Sequence, residues 1–250
     1  MEHIPLYIAI FVFGAIIGSF LNVCIYRIPE QEDIISERSH CLGCGNVLKW
    51  YELIPVLSFL IQKGHCRHCR KSLSLQYPLV EILNGLVYVL VFFRYGLTIT
   101  TLLYCLCTSA LIVLALIDWR TFEIPVGINI FIGVLGIINL CADIKNWLTY
   151  IFGFLAVSIL FLIVYFITKG RGIGGGDIKL MAAAGLLIGW QNILLAMAIG
   201  AVVGSIIHLL LMKFKGKGQV LAFGPYLSIG IFTAMIAGED LINWYLKSFL

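Results

Sequence analysis

The sequence has little charge to spend on a surface. Only 12% of its 250 residues are Asp, Glu, Lys or Arg, about half the share found in ordinary soluble domains. Apolar residues make up 61%, and the mean hydropathy is +1.01. A soluble chain of this length would lack the polar surface to cover its core, which excludes a soluble enzyme. A formal net charge of +4 is also too weak for a nucleic-acid binder. Three catalytic patterns are missing as well: there is no H-E-x-x-H, no G-x-S-x-G and no G-x-x-x-x-G-K-[ST]. Their absence removes the zinc-helix proteases, the serine hydrolases and the phosphate-loop enzymes.

Long apolar runs fill the space that charge leaves. A spanning helix needs about 20 mostly apolar residues. Such runs occur at Ile4–Tyr26, Leu73–Phe93, Leu97–Ile117, Ile124–Cys141, Trp147–Ile167, Ile178–Trp190, Asn192–Met212 and Val220–Gly238. They predict an all-α polytopic membrane protein of about eight transmembrane helices. The sixth run is short, and a re-entrant segment there would reduce the count to seven. The first run follows Glu2 and His3 rather than a basic stretch and has no small-residue cleavage site, so it is expected to stay as a helix. On this trace fourteen of the seventeen basic residues fall on one side, leaving Arg94, Lys145 and Lys247 on the other. The positive-inside rule puts the fourteen in the cytoplasm and both termini outside.

One connection is long, and it carries four of the eight cysteines. Cys41-Leu-Gly-Cys44 and Cys66-Arg-His-Cys69 are separated by 21 residues. Two C-x2-C pairs at this spacing predict a four-thiolate zinc site, with Gly43 and Gly45 easing the turn. Disulfides are the competing reading, which a cytoplasmic location disfavours. A small domain of this size lacks a core of its own, so a structural metal would supply its stability. His40, His65 and His68 adjoin the pairs and are expected to be solvated. Cys24, Cys105, Cys107 and Cys141 lie in or at the ends of apolar runs and read as small hydrophobes. The resulting division is a first helix over residues 1–26, a cytoplasmic zinc domain over 27–72 and a membrane domain over 73–250.

Ionisable residues in a membrane segment are functional candidates. Asp118 follows the third run directly, and Asp177 follows Gly174-Gly-Gly just before the sixth. Each alone has a plain explanation, as a headgroup-level helix end or as an N-cap. Their shared leaflet changes the weighing. Two carboxyls brought together beside a low-dielectric bilayer share one proton, so one acid donates while the other activates water. That is what peptide hydrolysis needs without a metal or a covalent nucleophile. The glycines before Asp177 are expected to let a substrate backbone approach. Glu123 reads as a solvated loop charge, and Asp143, Glu239 and Asp240 fall on the other side. Glu81 and Asn84 share a face of the second run and are expected to line the bundle interior.

Taken together, these segments resemble the type IV prepilin peptidases, a family of bifunctional leader peptidases and N-methyltransferases. The resemblance runs through Gly18-Ser-Phe-Leu-Asn-Val-Cys-Ile-Tyr-Arg27, the two cysteine pairs with Trp50 to Phe59 between them, and Gln76-Tyr-Pro-Leu-Val-Glu81. It continues through Asp118-Trp-Arg-Thr-Phe-Glu-Ile-Pro125, Gly174-Gly-Gly-Asp177-Ile-Lys and Ala222-Phe-Gly-Pro-Tyr226. One departure is Val126, where the family usually has a polar residue. The resemblance implies an aspartate dyad of Asp118 and Asp177 in an intramembrane peptidase that cuts prepilin and pseudopilin leaders after Gly. It also implies methylation of the new N-terminus with S-adenosylmethionine, for which the residues themselves assign no site. Membrane lipid is the expected surrounding, in a bacterial cytoplasmic membrane, with no nucleic-acid partner. Glu30, Glu32, Asp33 and Glu37 are the local acids expected to meet a basic leader. A peptidase without the methyl transfer is the nearer alternative. An ion-coupled transporter is the more distant one, poorly served by acids at one leaflet and by the lack of an inverted repeat.

Overall fold

A computed structural model describes residues 4–41, 43–215 and 222–249. Glu2, His3, Leu42 and Val220, used in the reading above, lie outside the described residues. The regular secondary structure of the described residues is helical apart from two isolated antiparallel bridges in the long connection. Its helices are α1 (Ile4–Glu30), α2 (Leu57–Ile61), α3 (Gln76–Tyr95), α4 (Ile99–Thr121), α5 (Val126–Ala142), α6 (Trp147–Ile167), α7 (Gly175–Ile188), α8 (Trp190–Lys215) and α9 (Gly224–Phe249). Each of the eight apolar runs is one of these helices, α2 being a short extra turn in the loop. Six of them, α1, α3, α4, α6, α8 and α9, are long and apolar enough to cross a bilayer. The main shifts are at the ends. Asp118 lies within the last turn of α4 rather than after it, and α9 runs on to Phe249.

The chain forms two compact units, Met1–Val113 and Leu114–Leu250, dividing within α4. In the first, α1 packs along α3 through small residues, as membrane helices do when no hydrophobic force distinguishes helix from lipid. A Cβ on Gly18 would stand 2.7 Å from the Glu81 Cα. Asn84, fully buried, donates to the Gly14 carbonyl at 2.7 Å and accepts from the Ser109 hydroxyl at 2.9 Å. Glu81 accepts the Val56 N–H at 2.7 Å, which ties the loop to α3. Both residues therefore line the bundle interior and hold it together. Arg27, which counts among the fourteen basic residues on one side, is buried in the last turns of α1. Its guanidinium donates to the carbonyls of Asp33, Glu37 and Arg38 and folds the loop back over the helix end.

In the second unit α7 is the hub, packed against α5, α6, α8 and α9. Its Leu180, Met181, Ala184 and Leu187 are wholly buried. This explains the weak sixth run: 14 residues extend only about 21 Å, short of a bilayer core of about 30 Å. A helix sheathed by protein has no need to match the lipid. Gly153 of α6 and Gly185 of α7 set the closest crossing, since a Cβ on either would run into the other's carbonyl oxygen. Around this hub, apolar side chains such as Phe152, Ile159, Phe166, Val202 and Leu209 point outward, as a lipid-facing surface requires.

Candidate active site and metal site

Each cysteine pair is built by a local turn. After Cys41 the chain reverses through a Gly45 N–H to Cys41 carbonyl bond of 2.8 Å, closed by the Cys41 N–H to the Asn46 carbonyl at 2.9 Å. The second pair repeats this with Arg70 N–H to Cys66 carbonyl at 2.9 Å and Cys66 N–H to Lys71 carbonyl at 2.8 Å. Gly45 has φ +69°, a region open to glycine at no steric cost. Arg70 adopts φ +56° in the equivalent place without that freedom. Of the two glycines credited with the turn, only Gly45 needs it; Gly43 instead leaves room for the Lys71 side chain.

The four sulfurs of Cys41, Cys44, Cys66 and Cys69 lie within 4.8 Å of one another, with Cys41 and Cys69 at 3.9 Å. A tetrahedral ion with bonds of about 2.3 Å sets its sulfurs about 3.8 Å apart, so the cluster can hold such an ion. Backbone N–H groups already point at it. Those of Cys69 and His68 draw the Cys66 thiol down to about 6. Cys44, which the Asn46 N–H favours as thiolate, is nonetheless pushed up to about 11 by desolvation and the neighbouring sulfurs. The histidines stand apart: His40 and His65 turn a ring nitrogen to the carbonyls of Arg38 and Lys63. Asp33, one of the four local acids, is taken up in a turn, its carboxylate held well below the usual range by the N–H groups of Ile35 and Ser36.

The carboxylates are assembled from distant parts of the second unit. Asp118 is 4% exposed and Asp177 8%. Asp118 Oδ2 accepts the N–H of Gly224 at 2.8 Å, at the first residue of α9, where unpaired N–H groups and the helix dipole favour negative charge. The contact leaves no room for a side chain, since a Cβ on Gly224 would lie 2.7 Å from that oxygen. Asp177, in the first turn of α7, accepts the Gly174 N–H through Oδ2 at 3.2 Å. Its Oδ1 is buried with no hydrogen-bond partner among the described residues. One further polar group, missed in the sequence, stands near: Asn129 of α5 donates to the Gly176 carbonyl at 3.3 Å, while its own Oδ1 is buried with no partner among the described residues. The glycines before Asp177 divide their work: Gly175 faces open space, whereas Gly176 makes way for Ile124.

Residues 12–95 match the model for the bacterial peptidase A24 N-terminal domain, and residues 105–209 match that for the type IV leader peptidase family. The chain is 33% identical to a prepilin leader peptidase/N-methyltransferase of Bacillus subtilis (strain 168), over 95% of this chain and 97% of that protein. It is 30% identical to one from Pseudomonas putida, over 92% and 90%. A third, from Aeromonas salmonicida (strain A449), is 31% identical over 96% and 94%. No solved structure matches the chain.

Proposed function

Because the chain belongs to the type IV leader peptidase family, we propose that it is a multi-pass bacterial membrane enzyme that removes prepilin and pseudopilin leaders and then methylates the new N-terminus. Asp118 and Asp177 form the hydrolytic dyad. What supports this is that both are buried in the second unit, each with one oxygen held by a backbone N–H, while Asp177 Oδ1 has no partner among the described residues. Two such carboxyls share one proton. The Gly224 N–H at the start of α9 supports charge on Asp118, which takes a proton from water as that water attacks the scissile carbonyl. Asp177, through its free Oδ1, gives its proton to the carbonyl oxygen. The resulting diol collapses as the leaving amine receives a proton, and the dyad returns to its starting state.

A prepilin presents a basic leader joined to an apolar helix, so its scissile bond lies at the membrane boundary. The basic loops mark that boundary as cytoplasmic, and the dyad residues at the ends of α4 and α7 lie at the matching depth. The four cysteines would hold a structural zinc ion within residues 27–72, because four protein ligands leave no position for reacting water. The hydrolytic residues belong to the membrane domain, 73–250. S-adenosylmethionine, when bound, supplies the methyl group for the new N-terminal amine.

Purified protein in detergent, given a prepilin and S-adenosylmethionine, tests the whole proposal by mass spectrometry of the product. The expected pilin lacks its leader up to and including the Gly and carries one added methyl group. Cleavage at another bond, or none, contradicts the hydrolytic assignment. A cleaved product with a free amine leaves the peptidase alone.

A further inference from the structure

The long connection carries an apolar face that the rest of the first unit leaves uncovered. In α2, Leu57, Leu60 and Ile61 are 56%, 63% and 73% exposed. They stand at i, i+3 and i+4, which is one side of a helix. Between them Ser58 and Phe59 are half-buried. Trp50, in the helical turn Trp50–Leu53 that packs against α2, is 77% exposed. Large apolar side chains grouped on a surface mark a binding partner or a membrane.

Depth and charge both select the membrane. The Val56 N–H, at the head of α2, donates to the Glu81 carboxylate at 2.7 Å. Glu81 is the sixth residue of α3, about 7 Å in from the start of that helix. α3 has 20 residues, or about 30 Å, the thickness of a bilayer core. The bond therefore holds the head of α2 near the level where α3 enters the bilayer. The backbone suits that level, since the N–H groups of Leu57, Ser58 and Leu60 are bonded to the carbonyls of Pro55, Ile54 and Val56. Charge agrees. From residue 49 to 71 the chain holds five bases, Lys49, Lys63, Arg67, Arg70 and Lys71, all exposed, and one acid, Glu52. Glu52 is turned inward, 7% exposed, with Oε2 on the Lys49 N–H at 2.9 Å and Oε1 buried without a partner among the described residues. Bases flanking an apolar segment fit anionic headgroups over acyl chains, and they would repel a basic leader.

We propose that α2 and Trp50 lie in the membrane interface, where Leu57, Leu60 and Ile61 reach the acyl chains and Lys49, Lys63 and Arg67 meet anionic phospholipid headgroups. The cysteine loop is then pinned to the bilayer at a third point, besides α1 and α3. Ile35 supplies the contrast within the same connection. It is 89% exposed but stands among Glu30, Glu32, Asp33 and Glu37, so it stays in water. This contact needs the chain to span a membrane and is independent of the chemistry of the dyad.

The test uses the full-length, metal-loaded protein in nanodiscs of phosphatidylcholine, alone or mixed with phosphatidylglycerol. A trace of phosphatidylcholine with a diazirine near the glycerol end of its acyl chain is photolysed, and mass spectrometry locates the label. Label is expected on Trp50 and on residues 57–61 as well as on α3, and not on residues 30–37. Phosphatidylglycerol is expected to raise the loop label relative to that on α3, and Lys63→Glu with Arg67→Glu to remove the rise. Leu60→Ser with Ile61→Ser is expected to lose most of the label at Trp50 and Leu57, with metal content unchanged. A loop without label beside a labelled α3 overturns the contact, whatever the variants do. So does label lost on adding prepilin, which would give this face to the substrate helix, or label replaced by cross-links between two copies of the chain. Absence of label from α3 as well overturns the membrane reading and this contact with it.

Discussion

The cysteine cluster and the aspartate pair are built on opposite plans. Each cysteine turn closes on itself over four or five residues, Gly45 to Cys41 and Cys41 to Asn46 in one, Arg70 to Cys66 and Cys66 to Lys71 in the other. The Asp118 contact with Gly224 spans 106 residues and requires α4 and α9 to be in place. The first site rests on loops and, on the zinc reading proposed above, needs a metal to finish it. The second rests on helix ends inside an apolar bundle and needs only the bundle. Ligand chemistry thus stabilises one region and helix packing the other, so the two should fail independently.

Removing the metal should produce the largest separation between them. Cys66→Ser is expected to reduce bound metal from about one ion per chain to almost none, as read by elemental analysis, because the ion then loses a thiolate. Residues 27–72 should then become the first site of limited proteolysis, with residues 114–250 still protected. Acid should do the same to the unaltered protein. Protons compete with the ion for all four thiolates, and the free thiols are shifted in opposite directions, Cys66 to about 6 and Cys44 to about 11. Release is therefore expected as pH falls and not on raising it. Metal retained at pH 4, or equal proteolysis of both regions, breaks the comparison.

The reverse experiment acts on the bundle. Gly185→Ala places a methyl group against the Gly153 carbonyl, and with backbone on both sides neither helix can yield cheaply. A loss of about 3 kcal/mol is expected, at the upper end for overpacking, seen as a lower thermal midpoint with metal content unchanged. A smaller and more local effect is expected from Gly224→Ala. Its Cβ would stand 2.7 Å from Asp118 Oδ2, so the carboxyl must shift. Displacement of a reacting group by about 1 Å costs about 100-fold in rate. Turnover should fall by that order while melting and metal content stay near those of the parent. A Gly224→Ala protein with full activity would remove the helix-end contact from the mechanism.

How much of this was legible in the sequence follows from the same difference. The cysteine pairs declare themselves because their geometry is local, and the spacing of Cys41, Cys44, Cys66 and Cys69 carries nearly all of it. The eight helices were readable from apolar runs, and Asp118 and Asp177 from being acids at their ends. What could not be read was who holds those acids. Nothing near Asp118 points to Gly224, whose missing side chain has meaning only once α9 is packed. Arg27 looked like one more basic loop residue because its three carbonyl partners follow it in an irregular segment. Glu52 gave no signal either, since an acid among aromatic and apolar neighbours acquires its unpaired oxygen only when the loop folds against α1 and α3. Short α7 looked doubtful for a related reason: length measures a fit to lipid, and this helix is fitted to protein.

The central claim is that Asp118 and Asp177 act as one chemical unit, and single-turnover cleavage of a prepilin by Asp118→Asn, Asp177→Asn and the double variant tests it most directly. Loss of a general acid–base group lowers the rate by about 10²–10⁴-fold, and groups that act together are far from additive. The expected result is that each single variant falls by that order while still binding metal, and that the double variant falls little further. Near-normal cleavage by either single variant, or losses that multiply in the double, would contradict it.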